Sequence, residues 1–261
     1  MEQKIYRIKP VFEERMWGGQ HLIEKYHYQT ELKNIAESYC CIAIPNHLDC
    51  DVIDTGDKLS DFYHHNRELF GSDTDDIPIR LTVESVLDNM SVQIHPEDGY
   101  ALEHFHQYGK PGGILYLEGT PTDLLLGHHA RTKEEFIQWN ETRQFDKLFR
   151  FVDYVPGDFI HIPANTLHSF RIRGIMIAFA RNSDVTLRLY DYDRIGKDGK
   201  KRELHIDKAL DVADLHGSAE PRQPLRVLKY RPGMASELLI RCKYFEVYRM
   251  LINGVCQEVQ R

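Results

Sequence analysis

The chain has 261 residues, enough for one large or two modest domains with a buried core. Its 33 basic and 40 acidic side chains leave a formal charge of -7, and neither sign forms a long run, so no nucleic-acid footprint is present. A negative chain that takes a phosphorylated metabolite must concentrate positive charge locally. No apolar run reaches membrane-spanning length, and Met1-Glu2-Gln3-Lys4 opens on no signal-peptide core; a cytoplasmic protein with no membrane partner is expected. The cysteines Cys40, Cys41, Cys50, Cys242 and Cys256 are odd in number and form no C-x-x-C pair, which points to buried thiols rather than a disulfide framework or a cysteine zinc knot.

From the N-terminus, Ile5 to Phe12 has an extended pattern that runs into a turn at Glu13 to Gly19, with Trp17 expected as a core anchor. Glu37 to Ile44 reads as a buried strand and Val52 to Asp57 as a short strand with its turn. Leu59, Phe62, Tyr63 and Leu69 have helical spacing, with Ser60 as the expected cap. Strands follow at Ile79 to Val86, Ile114 to Leu117 and Leu124 to Leu126. Thr132-Lys133-Glu134-Glu135 is a capping signature that opens a helix pair through Phe149. Strands resume at Phe151, and Ile172 to Leu189 reads as two strands joined near Arg181 to Asp184. Lys208 to Leu215 is expected as a short helix, Pro221 to Pro224 as a linker, and Leu238 to Ile240 with Tyr244 to Ile252 as a hairpin. Many short strands with one helical insert predict a mainly β protein, a jelly-roll barrel with helical additions.

Two stretches carry the chemistry. In Met90-Ser91-Val92-Gln93-Ile94-His95-Pro96, alternation puts Val92 and Ile94 on one face and Ser91, Gln93 and His95 on the other. The second, Pro156 to His168, reads as a turn, a strand, a Pro-initiated turn and a strand that delivers His168. One amide oxygen and two imidazoles suit Zn2+ or another first-row divalent ion. Ligands at i and i+2 of one strand and a third from a distant strand can meet inside one barrel. Taken alone, His168 also suits a hydrogen-bonded core histidine.

At these residues the sequence resembles type I phosphomannose isomerase, the zinc-dependent cupin family that interconverts mannose 6-phosphate and fructose 6-phosphate. The likeness runs through Lys9-Pro10-Val11-Phe12, Trp17-Gly18-Gly19, Ser91 to Pro96, Gly109-Lys110, Pro156-Gly157-Asp158, Ile162-Pro163-Ala164 with His168, and Asn182-Ser183-Asp184 with Arg188 to Arg194. The resemblance implies a cupin jelly roll over residues 1–220, with its helical insert near 132–150, and the opening strands of an incomplete second barrel over 221–261. It implies Gln93, His95 and His168 as metal ligands, Ser91 and Lys110 as holders of the substrate phosphate, and Arg188 as the active-site arginine. On residue type alone Lys110 reads as a solvated lysine beside a glycine turn, and Arg188 as a strand-end salt-bridge partner of Asp184 or Asp191.

The sequence departs from the family at three places. The family's fourth ligand, the Glu of Gly-Lys-x-Glu, is Gly112 here; Glu118, His128 or His161 could replace it only if the fold brings one inward. The family's Glu-x-Gln-Gln is Ala178-Phe179-Ala180-Arg181, so two polar wall groups have become methyls. Only the opening strands of the second barrel are present, which leaves a sheet edge that a homodimer would cover. Two expectations follow: a metal-dependent aldose-ketose isomerase of a hexose 6-phosphate, or a catalytically silent relative that binds a sugar phosphate.

Overall fold

In this computed structural model, residues 5–72, 74–171, 173–215 and 229–254 are described. The expected linker at Pro221 to Pro224 and the thiol of Cys256 lie outside them, whereas Cys40, Cys41, Cys50 and Cys242 are free thiols, of which Cys50 is buried as expected and the other three are only partly buried.

The N-terminal third runs β1 (Ile8–Lys9), β2 (Val11–Glu13), α1 (His21–Glu24), β3 (Glu37–Cys41), β4 (Asp51–Val52), α2 (Leu59–His65), α3 (Arg67–Phe70) and β5 (Arg80–Val86). Ser60 does not cap α2. Lys58 holds the cap position, and the Asp49 carboxylate reaches over to accept from the Ser60 backbone N–H at 3.1 Å and its hydroxyl at 2.5 Å. A neighbouring loop thus satisfies the open helix end that a local side chain normally serves.

The middle runs β6 (Val92–Ile94), α4 (Asp98–Phe105), β7 (Gly112–Gly119), β8 (Thr122–His128), α5 (Lys133–Glu141), α6 (Phe145–Leu148), β9 (Phe149–Tyr154), β10 (Phe159–Ile162), β11 (His168–Phe170), β12 (Gly174–Ala180), β13 (Leu187–Tyr190) and α7 (Ile206–Val212). The Thr132 hydroxyl accepts from the Glu135 N–H at 3.2 Å, the cap the sequence predicted. The C-terminal strands are β14 (Lys229–Arg231), β15 (Met234–Arg241) and β16 (Glu246–Ile252).

The fold is mainly β, and the expected jelly roll takes the form of two facing sheets rather than a closed barrel. One has six strands in the order β10-β7-β12-β5-β3-β2, the other five in the order β13-β6-β11-β8-β9. Their inner faces share a core that includes Ile114, Tyr116 and Met176 from the first sheet and Leu124, Leu126 and Phe170 from the second. Behind the five-stranded sheet, Val92, Ile94 and Leu187 pack against Phe136 and Leu148 of the helical insert and Ala209 of α7. Strand β6 is therefore covered on both faces, and its polar residues look into the protein interior.

Strands β14 to β16 form a separate three-stranded antiparallel sheet, which exceeds the expected hairpin by one strand. Leu239, Ile240 and Val247 bury themselves against Phe159 and Phe179 on the outer face of the six-stranded sheet. Among the described residues no helix is long and apolar enough to cross a membrane.

Candidate active site

Between the two sheets lies a cavity of about 420 Å³. All six residues singled out from the sequence line it: Ser91, Gln93, His95, Lys110, His168 and Arg188. Strand order explains the convergence. β6 lies between β11 and β13, with Gln93 in register with His168 on one side and Arg188 on the other. A stretch early in the chain thus meets two late ones along three adjacent strands.

The rings of His95 and His168 have centroids 4.9 Å apart. His95 Nδ1 lies 2.9 Å from the Val185 carbonyl and His168 Nδ1 2.9 Å from the Thr166 carbonyl. A carbonyl oxygen can only accept, so in each neutral ring Nδ1 carries the proton and Nε2 the lone pair. Burial keeps both rings neutral: it drives the His95 pKa well below its ordinary value, reinforced by the Lys110 charge, and pushes His168 down to about 4. A backbone-anchored neutral imidazole with a free Nε2 is the state a metal ligand requires. The Gln93 side-chain oxygen accepts from the Ser91 hydroxyl at 2.9 Å and completes a neutral donor set.

That set has no carboxylate. Among the described residues no three or more His, Cys, Asp or Glu side chains group closely enough to hold a metal ion. The candidates to replace the missing family Glu all lie elsewhere: Glu118 pairs with Lys25, His128 packs edge-on to Phe136 with Nε2 at the Asp214 carbonyl, and none of Glu118, His128 and His161 lines the cavity. Two imidazoles and an amide still fit a divalent ion with open coordination positions, held without neutralisation of its charge.

Gly112 forms part of the cavity wall in close packing. A Cβ there would meet the Phe179 carbonyl oxygen at 2.5 Å and the Ala180 Cβ at 3.0 Å. Gly112 is the register partner of Ala180 across β7 and β12, so two of the departures from the family are a matched small pair. On its other side β12 sets Ala180 against Arg80 and Ala178 against Thr82 of β5. The wall's polar groups therefore stand on β5, one strand over.

Sequence reasoning missed those groups. Arg15, Glu37, Arg80, Glu84, Asp184 and Arg202 also line the cavity. The signal was the alternation Arg80-Leu81-Thr82-Val83-Glu84, the same polar-in, apolar-out pattern that marked Gln93 and His95. Among the described residues the lining carries five cationic side chains, Arg15, Arg80, Lys110, Arg188 and Arg202, against the carboxylates Glu37, Glu84 and Asp184. This is the local positive field that an acidic chain needs to hold a phosphorylated ligand. Glu84 faces Glu37 in the β3 and β5 register. Burial first, and then the Glu37 charge, raise the Glu84 carboxyl well above the usual carboxylate range. Burial and the Arg80 charge bring the Lys110 ammonium down to about 8.

Arg188 pairs with neither acid expected for it. Asp184 is bonded by Arg80 and His47, and Asp191 by Arg194 and Arg202. Arg188 instead donates through Nη1 to the Glu203 carbonyl at 2.7 Å, while its buried Nε has no hydrogen-bond partner among the described residues.

Two antiparallel sheets with a net-positive, imidazole-bearing cavity between them define a β-sandwich protein whose cavity has the charge to suit a small anion. Mannose-6-phosphate isomerase of Bacillus subtilis is 34% identical to this chain over 257 residues, 95% of this chain and 79% of that protein. Mannose-6-phosphate isomerase of Streptococcus mutans is 31% identical over 92% of this chain and 76% of its own length. The crystal structure of the mannose 6-phosphate isomerase from Bacillus subtilis superposes with a TM-score of 0.89 at 29% identity over 95% of this chain and 80% of that one. A phosphomannose isomerase variant from Salmonella typhimurium, at 13% identity and a TM-score of 0.68, shares the fold. No protein-family model matches the chain. The chain belongs to the mannose-6-phosphate isomerase family.

Proposed function

We propose that the protein is an aldose-ketose isomerase that interconverts mannose 6-phosphate and fructose 6-phosphate. The observation that supports it most is the meeting of His95, His168, Lys110 and Arg188 in one net-positive cavity, in a chain related to isomerases over 95% of its length. Isomerisation moves a proton between C1 and C2 through a cis-enediol whose oxygens gain negative charge. The Arg188 guanidinium stabilises that charge from the β13 side. Lys110 and the Ser91 hydroxyl grip the phosphate, so binding energy remote from the reaction orients the reacting carbons. Gln93, His95 and His168 would hold Zn2+ or another divalent ion, which supplies Lewis-acid polarisation of the sugar carbonyl.

Residues 1–220 carry the site in this reading, and the exposed Met250, Leu251 and Ile252 of β16 supply the edge for a homodimer. The free thiols Cys40, Cys41, Cys50 and Cys242 agree with a reducing, cytoplasmic location.

A coupled assay that follows fructose 6-phosphate formation, with Zn2+, Mn2+ or Co2+ added in turn, tests the proposal. Turnover in the wild type and its fall by at least about 10²-fold in His168→Ala are expected. Absence of conversion with every ion, alongside measurable binding of mannose 6-phosphate, would replace it with the silent sugar-phosphate binder.

A further inference from the structure

The enediol route needs one group that takes a proton from C2 and returns it to C1. The family's polar wall positions at 178 and 180 are alanines here, so the group must come from elsewhere in the cavity. The imidazoles of His95 and His168 have Nδ1 tied to backbone carbonyls, and Nε2 is their remaining donor atom for a cation. Guanidinium groups accept no proton. The Tyr39 phenol is driven by burial far above neutral pH.

Lys110 is taken up by the phosphate in this reading, and among the described residues that line the cavity three carboxylates remain, two of them already engaged. Glu37 accepts from Arg15 Nε at 2.8 Å, and Asp184 from Arg80 at 3.3 Å with His47 at 3.1 Å. Glu84 is only 4% exposed, lines the cavity, and has its Oε2 buried without a hydrogen-bond partner among the described residues. An unpartnered buried carboxyl oxygen costs free energy, and perturbed carboxyls of this kind cluster at functional sites. Glu84 belongs to the six-stranded sheet, whereas Gln93, His168 and Arg188 stand on the five-stranded sheet opposite. A sugar between the sheets then presents its oxygens to one wall and its carbon skeleton to the other.

We infer that Glu84 is the acid-base carboxyl of the isomerisation, an assignment that rests on the isomerase reading above. Its carboxylate takes the C2 proton: the C2–H bond breaks, an O–H bond forms on Glu84, and the electron pair becomes the C1–C2 double bond. The C1 oxygen carries the resulting negative charge. The O2 hydroxyl proton passes to O1, and Glu84 returns its proton to C1, so the residue ends as it began. The charged groups that act on Glu84 are Glu37 from β3, Arg80 on its own strand, Lys110, and Arg15. Burial and Glu37 raise its proton affinity, while the three cations keep the anion accessible. A carboxyl poised near working pH exchanges protons in both directions most efficiently.

The test uses Glu84→Gln, which keeps the volume and removes the base, and Glu84→Asp, which keeps the base. For Glu84→Gln, kcat is expected to fall about 10²- to 10⁴-fold while KM for mannose 6-phosphate stays within about 3-fold. Deuterium uptake from D2O at C2 of mannose 6-phosphate, read by NMR, falls with it. Glu84→Asp recovers part of kcat and moves the acid limb of the kcat profile to lower pH. Wild-type-like kcat and deuterium uptake in Glu84→Gln overturn the assignment and leave the isomerase reading intact. If Glu84→Gln does not fold, an unchanged kcat and pH profile in Glu84→Asp overturns it equally. Absence of both turnover and exchange in the wild type removes the isomerase reading and this assignment with it.

Discussion

Placing at position 112 the glutamate that the family resemblance implies there is expected to harm this fold rather than repair a metal site. The damage comes from the first side-chain atom. A Cβ on Gly112 would lie 2.5 Å from the Phe179 carbonyl oxygen, where ordinary contact begins at 3.4 Å, so about 0.9 Å must be found by moving backbone. The pair cannot part easily, because β7 and β12 lie inside the six-stranded sheet with β10 and β5 outside them and are registered from Gly112 to Gly119. Overpacking of this kind costs about 1–3 kcal/mol. For a chain of this size that lowers Tm by roughly 2–12 °C. Since Cβ makes the clash, Gly112→Ala should show most of the loss seen in Gly112→Glu. Thermal melts of the three proteins, with metal content by plasma mass spectrometry, measure both effects. The reasoning fails if Gly112→Ala melts with the wild type, or if Gly112→Glu binds stoichiometric metal at an unchanged Tm.

Two further predictions concern Lys110 of the cavity and the buried Arg181. Lys110 is charged below a pKa of about 8 and neutral above it. KM for mannose 6-phosphate should therefore rise as pH climbs through that value, and Lys110→Met should raise KM about 10- to 100-fold at neutral pH and abolish the rise; a KM flat with pH in the wild type would refute this. Arg181, 1% exposed, donates to the Ile77 and Asn182 carbonyls at 3.0 and 3.1 Å, pairs with Asp76, and stacks between Tyr108 and Tyr244 at 4.6 and 5.0 Å. Arg181→Met should cost about 2–4 kcal/mol by stranding those carbonyls and unpinning the segment that holds Tyr244. A urea midpoint equal to the wild type's would show that the stack contributes nothing.

Arg181 also illustrates how this chain has redistributed function along its strands. The family resemblance implies a polar wall residue at its position, yet its side chain serves as a staple between the main body and the C-terminal sheet. The same substitution of purpose appears at Ala180, whose small side chain stands beside the long Arg80, and at Gly112, which closes the gap between β7 and β12.

The alternation of Ser91, Gln93 and His95 with Val92 and Ile94 fixed which side chains share a face, because a strand's period of two is a local property of the backbone. The Thr132 cap and most strand positions were legible for the same reason. Local pattern could not show that β6 lies between β11 and β13, that Asp49 rather than Ser60 serves α2, or that Arg80 and Glu84 enter the same cavity as His168. Nor could it show how little room Gly112 has. Those facts depend on which strands become neighbours and how closely their backbones approach, and pairings such as Arg80 with Ala180 join residues too distant in the chain for any local signal to carry. Sequence set the faces; the order of strands in two sheets decided which faces meet.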